Sequence, residues 1–149
     1  MSVLFATHVY AVNLSGSWIG NGVYSEFGSA EYVARAQVKI VVTQTKNELE
    51  TCDCWSFEKD GQPMQLCSYH KFDLQGDKVL VKGAQVGTQS ANALNLSFKK
   101  QTEEVAATAL IRPDQKLDFL YSLSGPDRAT QASAHGLIRA SQNLACPRP

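Results

Sequence analysis

Hydrophobic and polar residues alternate along most of this chain, and turn-forming residues interrupt the alternation at short, regular intervals. That pattern predicts strands over residues 17–25, 32–44, 48–59, 62–74, 77–87, 92–100, 104–112, 115–124 and 130–141. The second is the clearest: Ala34, Ala36, Val38, Ile40 and Val42 share one face, with Arg35, Gln37 and Lys39 on the other. Residues 101–111 are also helix-friendly, but strand is the stronger reading there. No stretch carries a sustained helical stripe. Strands this numerous, joined this tightly, must protect their edges by closure or by a second sheet. The expected fold is therefore all-β, an up-and-down antiparallel β-barrel of roughly eight to ten strands, with a two-sheet sandwich as the alternative.

Turn counting supplies a register. With Lys46-Asn47 as a two-residue turn, Val42 faces Thr51, Ile40 faces Asp53, Val38 faces Trp55 and Ala36 faces Phe57. With Asp60-Gly61 as a type I′ turn, Phe57 faces Met64, Trp55 faces Leu66, Asp53 faces Ser68 and Thr51 faces His70. Both hairpins put the same side of the middle strand on the apolar face, so the two registers support each other. The inward face then carries Trp55, Phe57, Met64 and Leu66 toward one end and Asp53, Ser68 and His70 toward the other. Phe72, the alternating Phe119 and Tyr121, and the last-strand series His135, Leu137 and Arg139 extend it. An apolar interior with a few polar groups is what a small-molecule site requires; a filled core with a polar rim is the competing arrangement.

The stretch "LSGSWIGNGVY" opens the first strand with Gly16-Ser17-Trp18, and Arg139 stands in "GLIRAS" of the last. In these features, and in the meander between Leu14 and Ser141, the chain resembles the calycin superfamily, with its lipocalin-like and nitrobindin-like small β-barrels. The resemblance implies that the Trp18 indole closes one end of the barrel and that Arg139 packs over its face, a cation–π arrangement. It implies a small apolar ligand held inside, and, on the nitrobindin-like side, haem with His135 as axial ligand. The chain departs from lipocalins in showing no helix before the last strand, and from the nitrobindin-like pattern in lacking a proline after Tyr24.

The 149 residues suit one domain, and Lys plus Arg balance Asp plus Glu at 14 each, so charge points to neither nucleic acid nor an anionic membrane. No apolar run is long enough for a transmembrane segment. Residues 1–11 read either as the remnant of a secretory signal cut after Ala11 or as a leading strand; 12–143 form the barrel and 144–149 a tail. Phosphate-cradling loops, zinc-protease motifs and a nucleophile elbow are absent, so no catalytic residue is assigned; an enzyme using the same interior, marked by a strongly shifted Asp53 or His70 pKa, stays open as the lesser alternative. The cysteines are better explained as staples than as a metal site. Cys54 falls opposite Cys67 in a non-hydrogen-bonded pair, at disulfide distance; Cys52 remains on the same outer face, within reach of Cys146. Two disulfides imply a periplasmic or secreted protein. The combined expectation is an exported barrel binding a small apolar ligand, with an interaction or inhibitor protein of solid interior as a further alternative.

Overall fold

The computed structural model describes residues 12–147, in which the chain forms ten strands and no helix. They are β1 (Gly16–Phe27), β2 (Tyr32–Gln44), β3 (Glu48–Lys59), β4 (Gln62–Gln75), β5 (Lys78–Val81), β6 (Ala84–Gln89), β7 (Ala93–Lys100), β8 (Glu103–Ile111), β9 (Leu117–Ser124) and β10 (Ala129–Arg139). Each pairs antiparallel with the next, and β10 returns to β1, so the sheet closes into a ring with no free edge at its seam. The segment at 1–11, read from sequence as a signal remnant or leading strand, lies outside the described residues.

The central hairpins have the register that turn counting gives. Val42 pairs with Thr51, Ile40 with Asp53 and Val38 with Trp55; Trp55 in turn pairs with Leu66, Phe57 with Met64 and Thr51 with His70. The single strand expected over 77–87 is instead two short ones, β5 and β6, around a tight turn at Lys82-Gly83. Both turn residues have positive φ, 49° and 79°, as a two-residue hairpin turn demands.

A second correction concerns β10. His135 was expected inward together with Leu137 and Arg139, but the register against β9 slips between Ala134 and Leu137. The extra residue is accommodated at Gly136, which has φ 69°, and Asp118 Oδ1 accepts the Gly136 amide at 2.8 Å. This bulge inverts the alternation, so Ala132, Ala134 and Leu137 are buried while His135 turns outward with its side chain 75% exposed.

One end of the ring is plugged from within. Val12, Leu14 and Trp18 are all buried there, Trp18 completely. The Gln44 side chain fixes the entering segment, accepting from the Leu14 amide at 3.1 Å and donating to the Val12 carbonyl at 2.9 Å. Trp18 Nε1 donates to the Leu14 carbonyl at 2.9 Å. Arg139 lies over the indole at 4.2 Å and donates to the carbonyls of Ser15 and Asn13.

The segment after β10 runs across the outer wall as a strap. Leu144 donates its amide to Ser17 Oγ at 2.9 Å, Lys39 Nζ donates to the Ala145 carbonyl at 2.6 Å, and Cys146 is disulfide-bonded to Cys52. Cys54 is bonded to Cys67 across the β3–β4 pair, with Cα atoms 4.1 Å apart. The sulfurs of Cys52, Cys54 and Cys146 lie within 4.8 Å of one another, but the two disulfides engage all four cysteines.

Candidate functional site: a cavity beside a gap in the barrel wall

Strand lengths decide where the interior is accessible. β5 pairs only with Asp73, Leu74 and Gln75 of β4, and β6 only with Leu94, Asn95 and Leu96 of β7. The Gln62–Phe72 part of β4 and the Ser97–Lys100 part of β7 therefore have no strand between them, and the wall has a gap above the β5–β6 hairpin. His70 and Phe98 stand on its two sides, and Phe72 approaches Phe98 edge-on across it, ring centres 6.5 Å apart. The plugged end lies away from this gap.

Behind the gap is a cavity. About 50 Å³ is open to the centres of water-sized molecules, inside about 670 Å³ of unfilled space that runs out to solvent. Its floor is Leu14 and Leu117, next to the Trp18 plug. Ile40 and Val42 line it from β2, Leu94, Leu96 and Phe98 from β7, and Val105, Ala107 and Ala109 from β8. The alanines create the space, since their positions face inward but carry only a methyl group. The polar lining is Thr51 and Asp53 from β3, His70 from β4 and Tyr121 from β9.

Asp53 occupies an unusual setting for a carboxyl group. Trp55, two residues on and on the same face, donates its Nε1–H to Asp53 Oδ2 at 2.8 Å. Trp55 itself packs against Phe119 from the opposite wall, ring centres 6.3 Å apart. Burial raises the Asp53 pKa from 3.8 to about 6, with the indole hydrogen bond opposing the rise. Burial lowers the pKa of His70, and the positive charge of Lys100 lowers it further. Tyr121 is raised by burial and then by the charge of Asp53. Among the described lining residues there is no serine or cysteine to act as a nucleophile and no lysine or arginine.

The residues expected inside divide into three groups. Asp53, His70, Phe72, Phe119 and Tyr121 do line the cavity. Trp55 and Phe57 are buried beside it, Phe57 stacked on Tyr24 at 4.9 Å, so they form its supporting wall. Met64 and Leu66 are 38% and 36% exposed and lie outside the cavity, as does Ser68, because the first half of β4 has no neighbour beyond it to cover that face. His135 is on the outer surface and does not line the cavity. The β7 and β8 linings were missed. The alternation of Leu94, Leu96 and Phe98, and of Val105, Ala107 and Ala109, was present in the sequence and would have found them.

A scan against protein-family models matches none to this chain, and a search of curated proteins likewise returns no match.

Proposed function

We propose that this chain is an exported small β-barrel, lipocalin-like in the manner of the calycin superfamily, that binds a small, mainly apolar ligand in its interior. The cavity carries the reading: apolar walls, four polar groups and a gap in the strands at its side, the combination a small-molecule site needs. The plugged end with Arg139 over Trp18 supports the family likeness, and the two disulfides support export to an oxidising compartment. Binding rests on burial of the ligand's apolar part against Leu94, Leu96, Phe98 and Leu117, with Asp53 or His70 orienting a polar end.

A slim apolar alcohol, 1-octanol, is the simplest probe. Titrated into the oxidised protein, it should give a saturable change in tryptophan fluorescence, because Trp55 packs against the cavity residue Phe119. Ala107→Phe, which fills the cavity from β8, should abolish that change while the protein keeps a cooperative melt. Leu120→Phe, on the outer face of β9, should bind as the wild type does. A wild type with no saturable response, or an Ala107→Phe variant that folds and binds equally well, would overturn the reading and leave a solid-bodied interaction protein in its place.

A further inference from the structure

We propose that the cavity selects a hydrophobic amine: a slim alkyl or aryl body carrying one ammonium group, which pairs with Asp53. This rests on the ligand-binding reading above and names the ligand class for the same site.

The charge inventory of the cavity carries the inference. Among the described residues that line it, Asp53 is the only carboxylate and none is a lysine or arginine. The two titratable groups that face the interior with Asp53, His70 from β4 and Tyr121 from β9, are both held neutral near pH 7.5: burial lowers the one and raises the other. Asp53, raised only to about 6, is ionised there. The described lining thus holds one negative charge and no cation, and the positive charge of Lys100 acts on His70 rather than on Asp53. An ionised carboxylate in an apolar setting is costly unless paired, and its hydrogen bonds, from the Trp55 indole and from its own backbone amide, come from neutral donors. A ligand ammonium group supplies the missing charge.

The surrounding rings favour the same ligand. Phe119 and Tyr121 line the cavity together with Asp53, and Trp55 packs against Phe119 from behind that lining. Aromatic faces attract a cation, and more strongly away from water. A fatty acid meets the opposite situation, since its carboxylate would enter beside Asp53 with nothing positive in the lining to receive it.

Three probes with the same chain separate the alternatives: octylammonium, 1-octanol and octanoate, titrated calorimetrically at pH 7.5 into the intact, oxidised protein. Octylammonium is expected to bind about tenfold more tightly than 1-octanol, with octanoate weakest. Asp53→Asn keeps the shape and can still accept from Trp55. It should lower octylammonium affinity about tenfold more than it lowers 1-octanol affinity, which removes the preference between the two. Octanoate binding as well as octylammonium, or an Asp53→Asn variant with octylammonium affinity unchanged, would overturn the proposal. If 1-octanol binds the wild type but octylammonium binds no tighter, the amine proposal fails and the ligand-binding reading survives. If none of the three binds, both fail.

Discussion

A carboxyl group set among aromatic rings favours its protonated form, and Asp53 shows what that does to stability. Its folded pKa, about 6, lies above the ordinary 3.8, so between those values the folded protein holds a proton that the unfolded chain has lost. Stability therefore falls as pH rises through that window and stays lower above it. The shift corresponds to roughly 1–3 kcal/mol once partial access through the cavity is allowed for. Asp53→Asn should unfold in urea with that much more free energy than the wild type at about pH 8, and with little difference at about pH 3.5. His70 has the opposite slope, its folded pKa being lowered, but it is present in both proteins and cancels from the difference. A second residue-scale test lies at Gly22, where an added Cβ would stand 2.6 Å from the Ser133 carbonyl and 2.7 Å from the Trp55 ring. Gly22→Ala should destabilise the protein by about 1–3 kcal/mol in the same measurement, because both neighbours are held in the sheet and the core. Alternation was enough to place Asp53, Trp55, Phe119 and Tyr121 on the inner side. It failed at His135, where a single bulge at Gly136 inverts the parity. An isolated glycine in a strand is the local mark of such a bulge, but which side of it keeps the phase is set by Asp118 on the neighbouring strand.

At the scale of elements, short-range turns were the most legible feature and changes of strand length the least. The β3–β4 register follows from Asp60-Gly61 alone, and with it the facing of Cys54 and Cys67. Residues 77–87 were misread because "DKVLVKGAQVG" keeps its apolar spacing through a Lys-Gly turn that carries no Asn or Asp. That split shortens the wall and opens the gap beside the cavity, so an error over a few residues conceals where the interior opens. The disulfides differ in what they constrain. Cys54–Cys67 closes a separation of 13 residues, whereas Cys52–Cys146 closes 94 and ties the strap to β3. Replacing Cys52 and Cys146 by serine should cost about 1–2 kcal/mol more than replacing Cys54 and Cys67, since the longer loop restricts the unfolded chain more. Parallel urea denaturation of the two double variants checks this, and equal costs would count against the chain-entropy explanation.

For the whole molecule, a closed antiparallel ring was readable because every strand is followed by its own partner, so that local pairing alone generates the topology. The cavity was not readable in the same way. Whether a barrel interior is filled depends on the summed size of side chains arriving from opposite walls, and here Ala107 and Ala109 of β8 and Thr51 and Asp53 of β3 leave it unfilled. The Trp18–Arg139 plug, by contrast, joins two ends of the chain that the closing pair β1–β10 brings together, and the paired motif anticipated it.

Ligand binding inside the ring is tested most directly by isotope-filtered nuclear Overhauser spectroscopy on methyl-labelled protein with 1-octanol. Occupancy of the cavity predicts contacts from the octyl chain to the methyl groups of Leu94, Leu96, Ala107, Ala109 and Leu117. No contacts, or contacts only to exposed methyl groups such as those of Val33, Leu120 and Ile138, would contradict it.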